Sequence, residues 1–209
     1  MTKQIDELVL GFDRAIKTLS GGYAVTRPSP AQDEPELELE AADRSHAAGL
    51  MRVNHAGEIC AQALYEGQAL TARDESTRNT LLQAAQEERD HLGWCRERLQ
   101  ELEATPSVLD PLFYSASFVM GAATGLISDR VSLGFVEATE DQVVAHLDSH
   151  MASLPAADHK SRAILRQMRE DESRHGAQAL ASGGQLFPKP LKQAMALISR
   201  LMTESTYRL

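Results

Sequence analysis

The chain has 209 residues, 43% hydrophobic and 24% charged, with 13 glycines, 8 prolines and 2 cysteines. That excludes a disordered chain, a collagen and a disulfide scaffold, and suits one main globular core. Thirty acidic against 21 basic residues give a formal charge of −9, a field that repels phosphate backbones, so nucleic acid is not an expected partner and any membrane contact must come from apolar surface.

Ile5, Leu8, Val9, Phe12, Ile16 and Leu19 recur at helical spacing until Gly21-Gly22, predicting a short leading helix. Its mixture of acids and single apolar residues lacks the pattern of an export signal. Arg27 to Glu40 holds Pro28, Pro30 and Pro35 with Asp33, Glu34, Glu36, Glu38 and Glu40, which predicts a solvated linker without chemistry. Residues 1–42 are thus expected to form a short helix and acidic linker, and residues 43–209 the folded unit. Four long helix-favouring segments follow, near Asp43–Thr71, Ser76–Ala104, Pro111–Ser153 and Asp158–Ser182, and Leu191, Met195, Ile198, Leu201 and Met202 trace a last amphipathic helix. The expected fold is all-α, a four-helix bundle with additional short helices. Cys60 and Cys95 both fall in helical segments and are expected to be free thiols of a reducing compartment. The third segment carries no formal charge from Leu112 to Ser128. At seventeen residues, diluted by Ser, Thr and Gly, it is too short to span a bilayer; it suits a bundle core, an oligomer contact or a helix lying in a bilayer surface.

Glu88-Arg89-Asp90-His91 and Glu172-Ser173-Arg174-His175 each put a carboxylate and an imidazole three residues apart, so both side chains leave one helix face. One such pair is unremarkable. Both, however, sit on the apolar stripes of their helices, where an unpaired charge is costly and needs a partner or a metal. Turn geometry adds lone glutamates. The midpoint of Glu58 and Glu88 is residue 73, in the polar turn Ala72-Arg73-Asp74-Glu75, and that of Glu140 and Glu172 is residue 156, in the turn Leu154-Pro155-Ala156-Ala157. Antiparallel hairpins would hold each pair level. Glu137, one turn from Glu140, is also plausible but does not fit the midpoint. Four carboxylates and two imidazoles then converge, the ligand arrangement of ferritin-like di-iron and di-manganese proteins. Oxygen and nitrogen donors without paired thiolates suit iron or manganese rather than structural zinc. His46, His55, His146, His150 and His159 are expected to be surface or ordinary core. Gly57 is expected to allow close helix approach, and Tyr65, two turns from Glu58, either lines the pocket or packs.

Met51 to Glu58, Glu87 to Leu92, Gly134 to Asp141 and Asp171 to His175 together resemble the demethoxyubiquinone hydroxylase family, from about residue 43 to Tyr207-Arg208. The first forty residues carry little of the likeness, and Asn54 stands where animal members tend to have Asp. The resemblance implies two iron ions per chain, held by Glu58, Glu88, His91, Glu140, Glu172 and His175 as the catalytic centre, with Glu88 and Glu172 as bridges. It implies hydroxylation by dioxygen, at the 3-position, of the ring of a polyprenylated methoxy-methyl-benzoquinol. Such a substrate stays in the bilayer, which implies a peripheral place on the cytoplasmic side of the cell inner membrane, reached through Leu112–Leu126 and Leu191–Met202. Other ubiquinone-biosynthesis proteins and a second copy of the chain are further partners to expect. With no Gly-rich dinucleotide fingerprint in the chain, the reductant is the quinol itself or a separate nicotinamide cofactor. An iron-storage shell, a rubrerythrin-like peroxidase and a metal-free helical adaptor are the competing readings.

Overall fold

The computed structural model describes residues 2–36 and 38–209, with side chains from Val9 onward; Ile5 and Leu8 of the leading stripe lie outside those side chains. Among the described residues there are seven helices and no strand: α1 (Thr2–Ser20), α2 (Ala41–Thr71), α3 (Glu75–Glu101), α4 (Asp110–Ile127), α5 (Asp129–Ser153), α6 (His159–Ala181) and α7 (Lys189–Thr206). Helices α2 and α3 form one antiparallel hairpin and α5 and α6 another. Met51, Leu99, Leu147 and Leu165 meet in the core at one end, and Tyr65, Leu81, Val136 and Ala179 at the other. Helix starts are marked by side-chain caps: Asp74 accepts from the Thr77 amide, Ser128 from Val131 and Asp158 from Ser161.

The third predicted segment is two helices rather than one. Ser128 is extended (φ −175°, ψ 158°) and caps α5, while the Asp129 carboxylate accepts from the amides of Arg73 and Asp74 at 3.0 and 2.9 Å. The break therefore ties the end of α4 to the α2–α3 turn. Asp110 faces His55, Tyr114 reaches Glu66 and Gly125 lies against Thr71, so α4 runs parallel to α2. A bundle of two hairpins joined by one crossover is the ferritin-like arrangement.

Contact between α2 and α4 is backbone to backbone. A Cβ at Gly121 would lie 2.2 Å from the Leu64 carbonyl oxygen, and one at Gly67 equally close to that of Phe118. Neither carbonyl can yield without moving a helix. Gly121→Val is expected to destabilise the protein by about 1–3 kcal/mol, the usual cost of overpacking, read as a lower urea midpoint at unchanged slope.

The acidic linker is not a solvated tether. Val25 rests on Gly93, Ala31 is buried, and Glu36 pairs with Arg98 and Lys160 at 3.0 and 2.7 Å. The segment lies as a strap along the groove between α3 and α6, because Glu36 finds basic partners at one end and Arg27 finds Asp90 and Asp171 at the other. Among the described residues no helix is long and apolar enough to cross a membrane. Phe12 on α1, Leu112, Val119 and Leu126 on α4, and Leu197 and Leu201 on α7 are all more than 60% exposed.

Candidate metal centre

Each bundle helix brings its share of one cluster: Glu58 from α2, Glu88 and His91 from α3, Glu140 from α5, and Glu172 and His175 from α6, all buried. They form two groups able to hold a metal ion. Glu58, Glu88, His91 and Glu172 make one, Glu88, Glu140, Glu172 and His175 the other, and within each the donor atoms lie within 4.8 Å of one another. Glu88 and Glu172 belong to both. The level placement follows from the two hairpin turns at residues 72–74 and 154–158. Glu137 is held apart, paired with Lys192 of α7 at 2.9 Å.

Protons alone do not satisfy this cluster. His91 Nδ1 stands 2.9 Å from both Glu88 and Glu172 and 3.7 Å from Glu58, and His175 Nδ1 is 3.1 Å from both Glu88 and Glu172. Each nitrogen has one proton to give. Accordingly Glu88 Oε1, Glu140 Oε2 and Glu172 Oε1 are buried without an aligned hydrogen-bond donor, an expensive state that a cation relieves. Burial, reinforced by the neighbouring carboxylates, pushes Glu58 and Glu140 well above the usual carboxylate range. For Glu88 burial acts the same way, but the two imidazoles outweigh it and hold that carboxyl low. Burial would depress the imidazoles. Glu88 and Glu172 override it, raising His91 strongly and pushing His175 up to about 12.

An outer ring orients both imidazoles. His91 Nε2 donates to Asp171 at 3.0 Å and His175 Nε2 to Glu87 at 3.1 Å. The acid just before each pair's glutamate therefore holds the histidine of the other pair. Arg174 joins the two acids at 2.8 and 2.7 Å, and Tyr65 donates to Glu140 Oε1 at 2.5 Å. The roles of Glu87 and Asp171 escape sequence reasoning. Their only local sign is an acid beside a glutamate already assigned to the buried face.

The remaining histidines lie outside the cluster. His46 contacts Tyr207, His55 faces Asp110, His150 contacts Asn54, and His146 lies tilted against His150 with ring centroids 3.9 Å apart. Cys60 and Cys95 are free thiols. Gly57 does not serve a close approach, since a Cβ there would meet nothing within 4 Å. It opens instead onto a cavity of about 600 Å³ bounded by α2, α4, α5 and α7, with Leu64, Phe113, Met120, Phe135 and Ile198 in its walls. Glu58 is the one cluster residue that reaches this cavity.

Residues 45–206 match the family profile of "Ubiquinone biosynthesis protein COQ7". The chain belongs to the COQ7 family. Similar proteins include the "3-demethoxyubiquinol 3-hydroxylase" of Azotobacter vinelandii, 58% identical over 207 residues and covering 98% of this chain and 95% of the relative. The proteins of that name from Pseudomonas paraeruginosa and Stutzerimonas stutzeri are 57% and 56% identical, again over 98% of this chain and 96% and 95% of theirs. The COQ7 profile begins inside α2, so α1 and the strap lie outside it, whereas these relatives align with nearly the whole chain.

Proposed function

We propose that this chain is a di-iron monooxygenase that hydroxylates the ring of a membrane-resident polyprenylated demethoxyubiquinol with dioxygen. The buried cluster with its donor-less oxygens carries this reading, and the names of the relatives supply the substrate. Glu58, Glu88, His91 and Glu172 would hold one ion, and Glu88, Glu140, Glu172 and His175 the second, Glu88 and Glu172 bridging. Two divalent cations balance four carboxylates with both imidazoles neutral. When bound, the irons supply the electrons and Lewis acidity with which dioxygen is activated.

The protein's own part is to seat, orient and shield. A cavity of about 600 Å³ is in the range of small-molecule sites, and its apolar walls take a quinol ring while excluding water. Glu58 is the group of the centre that this ring meets. Asp171 and Glu87 accept the Nε2 protons of His91 and His175, leaving each Nδ1 directed at the cluster. Tyr65 restrains Glu140 by its hydrogen bond. Overall, a ring C–H, dioxygen, two electrons and two protons become a ring C–OH and water, the electrons coming from the quinol or a separate nicotinamide cofactor. The polyprenyl tail leaves between α4 and α7, whose exposed apolar residues dip into the bilayer surface. In this reading the chain sits peripherally on the cytoplasmic side of the cell inner membrane, where it meets a substrate that stays in the bilayer.

Anaerobic purification with metal analysis, followed by one aerobic turnover of a demethoxyquinol analogue and mass analysis of the ring, tests the reading. About two irons per chain and one added oxygen are expected. Two irons without ring oxidation would overturn the substrate, and absence of bound metal would return the glutamates to a structural role.

A further inference from the structure

We propose that Arg27, on the strap between α1 and α2, is a positioning residue for the metal centre, acting through Asp171 on the imidazole of His91. Its guanidinium spans two helices: Nη1 donates to Asp171 Oδ2 at 2.8 Å on α6 and Nε to Asp90 Oδ2 at 2.9 Å on α3. The same Asp171 oxygen accepts the Nε2 proton of His91 at 3.0 Å. Arg27 thus fixes the very atom that fixes the ring. Three further contacts hold the arginine itself. Its guanidinium lies 4.7 Å over the Trp94 ring, its carbonyl accepts from Trp94 Nε1 at 3.3 Å, and the adjacent Thr26 amide donates to Asp90 at 2.6 Å.

A purely structural tie needs none of this convergence. The far end of the strap supplies the comparison: Glu36 pairs with Arg98 and Lys160 and makes no contact with the cluster or its ring of acids. Only the Arg27 end reaches a partner of His91. Outer hydrogen-bond partners of metal-binding histidines set ring orientation and basicity, and losing one typically costs about 10–100-fold in metal affinity. Arg27 stands one hydrogen bond further out than such a partner, and Asp171 would keep Arg174 and Gln167 while losing the donor that shares its Oδ2 with His91, so the cost here should fall at the lower end, up to about 10-fold.

The inference rests on the metal-centre reading, and the test separates the two. The full-length chain and its Arg27→Met, Arg27→Ala and Glu36→Ala variants are titrated anaerobically with Mn(II) against a chelator. The visible spectrum of each Co(II)-loaded form reports the ligand field. Methionine keeps a stem over Trp94 without hydrogen bonds, so it tests the proposal if alanine perturbs folding. The Arg27 variants are expected to bind Mn(II) several-fold, up to about 10-fold, more weakly with a shifted Co(II) spectrum, and Glu36→Ala to match the unaltered chain in both. Unaltered affinity and spectrum in Arg27→Met would overturn the proposal, as would an equal loss in Glu36→Ala, which would make the strap a simple clasp. If the unaltered chain binds neither ion, the metal-centre reading fails first and this inference falls with it.

Discussion

Glu172→Ala is expected to abolish ring hydroxylation, with a loss well beyond about 100-fold, the upper end of what removing a group one shell further out costs. Glu172 belongs to both candidate ion sites and touches the Nδ1 atoms of both His91 and His175. Its removal therefore damages two sites at once, which the loss of Glu58 or Glu140 does not. The metal-free fold should survive. Glu172 repels Glu58 and Glu140 but also pairs with the imidazoles of His91 and His175, so the metal-free variant should keep its helices and melt at or below the unaltered temperature. The diagnostic quantity is metal-induced stabilisation. At a metal concentration about 100 times Kd the unaltered chain gains about 2.7 kcal/mol, and the variant gains almost none. Thermal melts with and without Fe(II) or Mn(II), under anaerobic conditions, read both effects. A variant that keeps the metal shift and full activity would remove Glu172 from the centre.

Gly57→Phe should separate substrate access from metal binding. No atom lies within 4 Å of a Cβ at this position, and the helix continues unstrained through it, so the backbone accepts the substitution. The ring then occupies the cavity beside Glu58. Quinol turnover is expected to fall by about 100-fold or more, the cost of displacing a reacting group by roughly 1 Å, while metal content and the Co(II) spectrum stay unchanged. Gly57→Ala is the counterpart. It adds only the Cβ, should leave most activity, and should stabilise α2 by about 0.5–1 kcal/mol. A phenylalanine variant with full turnover would place the quinol elsewhere.

Much of this arrangement is legible in the chain because it depends on local periodicity. A three-residue step aligns Glu88 with His91 and Glu172 with His175, and symmetric spacing about two turns levels them with Glu58 and Glu140 rather than Glu137. What is not legible depends on distant partners. Leu126 to Val131 holds no glycine or proline to interrupt a helix, and Ser128 acts as a cap because the exposed amides of Arg73 and Asp74, which Asp129 satisfies, fix the break there. The strap's composition is that of a solvated tether. Its order comes from Asp171, 144 residues from Arg27, and from Arg98 and Lys160. Gly57 is ambiguous in sequence since a helical glycine serves close packing and empty space equally well, and only the neighbouring helices decide.

The crossed pairing of Asp171 with His91 and Glu87 with His175 bears on how the bundle can be taken apart. Severing the chain between α3 and α4, in residues 102–109, yields two pieces that each own a lone glutamate and a Glu-x-x-His pair. On paper each is half a centre. Yet neither piece contains the acid that steadies its own imidazole, since each has lent that acid to the other. Although the sequence pattern occurs twice, the halves are not autonomous modules: the smallest unit with both rings held in place is the reunited pair.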